Sequence, residues 1–252
     1  VGAEVAKFCK LLKAVYHDFG FDELVVKFST MPEDHVGDLE TWQRAEKALA
    51  DACHEAGLEY ELQPREGAFY GPKLEFKLYD CIGREWQCGT IQADFQLPSA
   101  ERLDATYIGK DNQKHHPVML HRAILGSFER FLGILIENFA GAFPTWLAFE
   151  QVAVVPVSTE FDDYAKKVND LLVSHDIRSN VYLGDENMKA KIKNISTEHR
   201  TPYILVVGQN EKDSETVTCR YRFSSKKPQE TFKLDDFVKY VEDKINTHFV
   251  GI

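Results

Sequence analysis

Three groups of residues in this 252-residue chain have types and spacings suited to chemistry. The first is the loop Gly67-Ala68-Phe69-Tyr70-Gly71-Pro72-Lys73, which leads into two alternating runs, Leu74-Glu75-Phe76-Lys77-Leu78-Tyr79 and Glu85-Trp86-Gln87-Cys88-Gly89-Thr90-Ile91-Gln92-Ala93-Asp94. Side chains alternate along a strand, so Thr90 and Gln92 share a face, and Gln87 joins them only if a bulge intervenes. Gly89 tolerates the backbone angles a bulge needs. Two glutamines and a threonine on central strands suit the floor of a binding site. They also suit an ordinary sheet with incidental polar groups, and the pattern alone leaves both open.

The second group lies in Pro117–Phe131, where Gly126 and Arg130 form a Gly-x-x-x-Arg pair. A glycine lets a flat ligand approach the backbone, and a nearby helix start favours phosphate. The planar guanidinium of Arg130 can stack on a base and bind phosphate. The bland alternative is a buried helix whose arginine pairs with Glu129 or another acid. His121 alone reads more readily as a hydrogen-bonded structural residue than as a metal ligand. The third group is Thr216-Val217-Thr218-Cys219-Arg220-Tyr221-Arg222, with Lys226 and Lys227 beyond it. Alternation puts Arg220 and Arg222 on one face and Tyr221 on the other. Planar arginines suit unstacked bases and phosphates of single-stranded RNA. A solvated charged hairpin is the plainer alternative.

The elements that must position these groups follow from periodicity. Val5, Phe8, Leu11, Leu12, Val15 and Phe19 predict a helix over 2–20, ended by Gly20. A strand over 24–28, a helix over 40–56 and two antiparallel strands over 73–81 and 85–97 follow. Residues 120–140 carry helical apolar spacing throughout and predict a helix buried on most sides. The segment 140–145 reads as a linker. After it come strand 152–158, helix 161–175, strand 178–183, helix 186–199, strands 202–208 and 216–223, and helix 233–249. Alternating strands and helices predict a mostly parallel sheet covered by helices.

Composition narrows the class. An apolar fraction of 44% supports real cores, and no apolar run is long enough to span a membrane. The start has no signal-peptide pattern and no initiator Met, which fits a chain that begins inside a longer one. Five scattered cysteines without a Cys-x-x-Cys pair suggest a reducing compartment, hence the cytoplasm. The net charge of −10 argues against a generic nucleic-acid binder. It divides into −8 over residues 1–149 and −2 over 150–252, so any RNA contact favours the second half.

The Gly67–Lys73 and His121–Arg130 wordings closely resemble the active site of threonyl-tRNA synthetases, a class II aminoacyl-tRNA synthetase family. The second of these is similar to the family's motif 3, in which a strand passes into a helix. The resemblance implies an α/β fold: a partial class II catalytic domain with an antiparallel sheet over 1–143, then a βαβαββα anticodon-binding domain over 150–252. It implies that Tyr70, Lys73, Gln87, Thr90, Gln92 and Ala123 line the threonine and adenylate pocket. Gly126, Ser127 and Arg130 would contact ATP, which binds with Mg2+. His121 would be one of three protein ligands to a zinc ion that takes the amino and hydroxyl groups of threonine. Asp213 and Arg222 would read anticodon bases, with Arg220 on the same strand, although Glu215 and Ser224-Ser225 replace glycines usual in the family. The implied activity is threonine–tRNA ligation by a full-length homodimer whose partners are threonine, ATP and threonine tRNA, with no membrane. Motifs 1 and 2, the remaining zinc ligands and the second ATP-binding arginine are not found in this sequence. The chain alone is therefore expected to be inactive in adenylation, and the alternative is a truncated, non-catalytic paralogue that binds tRNA or regulates.

Overall fold

The computed structural model describes residues 1–222 and 229–251, in two units, Val1–Leu135 and Ile136–Ile252. In the first unit, helix α1 (Gly2–Asp18) buries Val5, Phe8, Cys9, Leu12 and Tyr16 along one stripe. Strand β1 (Leu24–Ser29) follows, then α2 (Leu39–Glu55). The Asp38 side chain caps α2 by accepting from the Thr41 N–H at 2.8 Å. Next come β2 (Glu61–Gln63), β3 (Lys73–Tyr79), β4 (Glu85–Asp94), a short hairpin of β5 (Tyr107–Ile108) and β6 (Lys114–His115), β7 (Met119–Ala123) and α3 (Phe128–Asn138). The sheet order is β2-β1-β3-β4-β7, with only β1–β2 parallel.

One face of this sheet is apolar. Val26, Phe28, Leu74, Phe76, Leu78, Ile91 and Ala93 are all buried. Helix α1 covers that face: the Phe8 ring meets Phe76 edge-on at 6.1 Å, and Leu12 and Tyr16 lie against Gly89. Helix α2 packs on α1. The other face is left free to carry polar groups, as an antiparallel sheet allows.

The segment 120–140 is not one helix. Its first residues form β7, which pairs with β4 from Asp94↔Met119 to Thr90↔Ala123. Gly126 has φ +70°, outside the helical region, so α3 starts only at Phe128. The strand-to-helix resemblance is borne out and the helical periodicity is not: a full ladder to a central strand outweighs local spacing. Helix α3 also differs in burial. Phe131, Ile134 and Leu135 are buried, whereas Phe128 is 72% exposed and Leu132 50%.

The second unit contains β8 (Val152–Pro156), α4 (Asp162–Ser174), β9 (Ser179–Val181), α5 (Met188–Asn194), β10 (Tyr203–Val207), α6 (Gln209–Ser214), β11 (Thr216–Tyr221), β12 (Glu230–Lys233) and α7 (Leu234–Asn246). Its sheet order is β12-β11-β10-β8-β9. Strands β8 and β10 are apolar runs buried on both faces, under α4 and α7 on one side and α5 on the other. The sheet is mixed rather than mostly parallel: β8–β9 and β8–β10 are parallel, β10–β11 and β11–β12 antiparallel. The link from β10 to β11 holds only the six-residue α6, too short for a crossover, so the chain returns antiparallel. Neither α6 nor β12 is anticipated by periodicity. Lys226, Lys227 and Ser224-Ser225 lie outside the described residues. Among the described residues no helix is long and apolar enough to cross a membrane.

Candidate functional site

Antiparallel register lines up the polar residues of the first unit across three strands. Lys73 lies opposite Gln92, and Gln92 opposite His121. Glu75 lies opposite Thr90, and Thr90 opposite Ala123. A register shift between Phe76 and Lys77 sets Lys77 against Gln87 and leaves Cys88 as the extra residue. A bulge thus does intervene, at Cys88 rather than at Gly89, which stays paired with Phe76, so Gln87, Thr90 and Gln92 share one face.

The loop 67–72 closes over this face because it has no side chain at Gly71. A Cβ there would stand 1.8 Å from the Ala93 carbonyl oxygen, and the Ala93 N–H donates to the Pro72 carbonyl at 3.1 Å. Tyr70 is thereby held over β4, where its hydroxyl donates to Gln92 Oε1 at 2.5 Å. Burial pushes the Tyr70 phenol up, the charge of Asp94 adds to this, and Lys73 opposes it. The phenol therefore stays a donor, and the Gln92 amide is turned so that its NH2 remains available to a ligand. Lys73 pairs with Glu75 at 2.6 Å, both side chains largely buried. Thr90 is different: its hydroxyl oxygen is buried and has no hydrogen-bond partner among the described residues. An orphaned hydroxyl on a floor of otherwise paired groups marks a place where a ligand or water completes the network.

The ring of His121 lies 5.5 Å from that of Tyr70, and its Nε2 is 2.8 Å from Asp94 Oδ2. Asp94 was not singled out by type, yet it continues the alternation of Thr90 and Gln92 on β4, which is the signal that finds it. The described residues hold no group of three His, Cys, Asp or Glu able to bind a metal. His121 offers one donor, so a zinc ion does not fit these residues on their own.

Beside this floor, Ser127 caps α3: its hydroxyl accepts from the Arg130 N–H at 3.2 Å and donates to Glu129 at 2.8 Å. Arg130 is exposed, donates to the Gln87 carbonyl at 3.0 Å and lies 5.8 Å from the centre of the Trp86 ring. Neither Glu129 nor another described carboxylate pairs with it. The glycine at 126 is required by the fold itself. With its positive φ, a Cβ there would meet the Cys88 carbonyl oxygen at 2.7 Å. A cavity of approximately 520 Å3 elsewhere in the unit, lined by Lys10, Lys13, Tyr16, His17, Phe21 and Leu58, shares none of the polar-face residues.

The second unit separates the two arginines expected together. Arg220 is exposed on β11. The strand ends at Tyr221, so alternation does not carry to Arg222, which is only 4% exposed. Its guanidinium donates to the carbonyls of Ala142 at 2.9 Å, Phe143 at 2.7 Å and Arg200. Burial lowers its pKa to about 10, so it remains charged at neutral pH. Asp213 is exposed at the end of α6 and accepts from Gln209 at 2.6 Å. Sequence reasoning missed a depression of approximately 430 Å3 at the carboxyl ends of β8 and β9, lined by Val157, Thr159, Asp185, Asn187, Lys189 and Lys191. Lys191 is 5% exposed and donates to the carbonyls of Tyr182 and Gly184 at 3.0 and 2.7 Å.

Residues 1–139 match the tRNA synthetase class II core domain (G, H, P, S and T), and residues 151–244 match an anticodon binding domain. The chain is 51% identical over 249 residues to threonine–tRNA ligase of Treponema pallidum (strain Nichols), covering 98% of this chain and 41% of that protein. It is 53% identical over 246 residues to threonine–tRNA ligase of Wolbachia sp. subsp. Drosophila simulans (strain wRi), covering 98% of this chain and 38% of that one. The crystal structure of the RNA binding domain of threonyl-tRNA synthetase from Cryptosporidium parvum Iowa II superposes with a TM-score of 0.89 at 36% identity, covering 96% of this chain and 60% of that chain. This chain thus spans about two fifths of the length of the curated relatives it matches. With more than half of its residues within the matched core, the chain belongs to the class II tRNA synthetase family of the G, H, P, S and T group.

Proposed function

We propose that this chain is the part of a threonine–tRNA ligase that supplies one wall of the amino-acid pocket and the anticodon-binding domain. The observation that carries the reading is the buried, unpartnered Thr90 hydroxyl, set among Gln87, Gln92, His121 and Ala123 on one polar face. A pocket built to hydrogen-bond a substrate hydroxyl rejects an analogue that lacks it, which an apolar pocket cannot do well. In the full-length enzyme, threonine and Mg-ATP would form threonyl-adenylate with release of pyrophosphate, and threonine would then pass to tRNA. Tyr70, Gln92 and Lys73 would orient the amino acid, while Gly126, Ser127 and Arg130 would border the nucleotide, with Arg130 free to stack on the base. His121 would give one ligand to a zinc ion whose other ligands lie outside these 252 residues. Bound there, zinc would contribute Lewis-acid recognition of the amino and hydroxyl groups. Arg220 and Asp213 would face the anticodon. The full enzyme would be a cytoplasmic homodimer.

The test is Thr90→Val in a longer enzyme that completes the catalytic domain. The expected result is a rise of about tenfold or more in KM for threonine, with KM for ATP unchanged. An unchanged threonine KM overturns the reading.

A further inference from the structure

We propose that Asp94 is a positioning residue that fixes the tautomer of His121 and leaves Nδ1 as the nitrogen that meets a ligand. Its geometry stands alone; its role rests on the polar face being a substrate pocket. Asp94 has a fully buried side chain, and its two carboxylate oxygens have different work. Oδ1 accepts from the backbone N–H groups of Gln96 at 2.8 Å and Leu97 at 3.0 Å, at the turn that ends β4. Oδ2 faces His121 Nε2 at 2.8 Å. A carboxylate only accepts, so Nε2 carries the proton and, in the neutral ring, Nδ1 carries the lone pair. The turn donors keep the carboxylate from rotating away, and β7 keeps the ring in register, with His121 opposite Gln92. No described residue hydrogen-bonds Nδ1, and the side chain is one-third exposed. A histidine that presents one lone pair while a buried carboxylate holds its other nitrogen is the arrangement that makes imidazole a strong, oriented donor.

The same geometry states what Asp94→Asn does. Two backbone N–H groups claim the position of Oδ1, so the amide oxygen must stay there. The amide NH2 then faces His121, where a proton already sits on Nε2. The clash is relieved by moving the ring proton to Nδ1, which removes the free lone pair from the exposed side.

The experiment is 15N–1H long-range correlation on the 252-residue chain carrying 15N-histidine, with His121→Gln to assign the signal. Wild type is expected to show His121 protonated at Nε2, and Asp94→Asn to show it protonated at Nδ1, a change of at least about tenfold in tautomer ratio. A merely structural aspartate would leave the tautomer where it was. Wild-type His121 protonated at Nδ1 overturns the inference even if the variant does not fold. An unchanged tautomer in a folded Asp94→Asn variant overturns it as well. Threonine plays no part in this readout, so failure of the pocket's substrate assignment and failure of the tautomer assignment are separate results.

Discussion

Replacing Arg222 with Ala should destabilise the second unit rather than remove a base contact. The side chain is buried and holds three carbonyls from two segments, Ala142 and Phe143 on one side and Arg200 on the other. A hydrogen bond from a charged donor contributes about 1.5–3 kcal/mol, but these carbonyls are only half-buried and water can replace part of the loss. The expected cost is therefore about 3 kcal/mol rather than the sum of three full bonds. By native-state hydrogen exchange, amides of β10 and β11 should exchange about a hundredfold faster. Arg222→Lys keeps the charge without the planar fork and should recover only part of the difference. Binding to threonine tRNA, followed by fluorescence anisotropy, supplies the second readout. Exposed Arg220→Ala should weaken binding with exchange unchanged, and reduce the salt slope by about one if it meets a phosphate. Arg222→Ala should weaken binding only as far as the unit opens. Lost RNA affinity with unchanged exchange in Arg222→Ala would refute the clamp and restore Arg222 as a base contact.

Other outcomes follow from the same contacts. Thr90→Val removes a buried hydroxyl that has no partner among the described residues, so without ligand the thermal stability of the chain should be unchanged or higher, by up to about 1 kcal/mol; a clear loss would mean the hydroxyl is already paired. Asp80 is held below its ordinary pKa of 3.8: burial works to raise it, but hydrogen bonds from Trp86, Arg84 and Ile82 outweigh this. The unfolded chain therefore binds the extra proton first, so this stabilisation is complete above about pH 5 and is lost as pH falls further. Asp80→Asn should flatten that part of a denaturation series between pH 5 and 2, and parallel curves would contradict it. The purified 252-residue chain should show no threonine-dependent pyrophosphate exchange, because adenylation relies on prepositioned charge and, on the proposed reading, this chain would offer only one zinc donor and one ATP-binding arginine. Robust exchange would defeat that expectation. An immunoblot of source cells separates a longer synthetase, well above 28.8 kDa, from a truncated paralogue at that mass.

What was legible in the sequence was whatever the backbone period alone decides. Strands β3 and β4 and the helices α1 and α2 follow from alternation and apolar spacing, whereas the bulge that returns Gln87 to the face of Thr90 and Gln92 is only allowed by them and falls at Cys88 rather than Gly89. What was not legible depended on partners distant in sequence. Leu120 through Ile124 fit a helix as well as a strand until β4 offers a ladder to pair with. Arg222 fits an RNA-reading strand until the carbonyls of Ala142 and Phe143, some eighty residues earlier, close around it. Asp94 lies between these cases. Its place on the polar face follows from its offset of two from Gln92, but its partner does not, because His121 reaches it only across the β4–β7 register. A polar residue at the end of a strand thus has two separable properties. The face it occupies is set by local geometry and can be counted; the charge it meets is set by pairing and has to be found. For a pocket assembled from adjacent strands, the second property decides which groups are free to bind, and here it leaves the Thr90 hydroxyl and one ring nitrogen of His121 without a partner among the described residues on the same face.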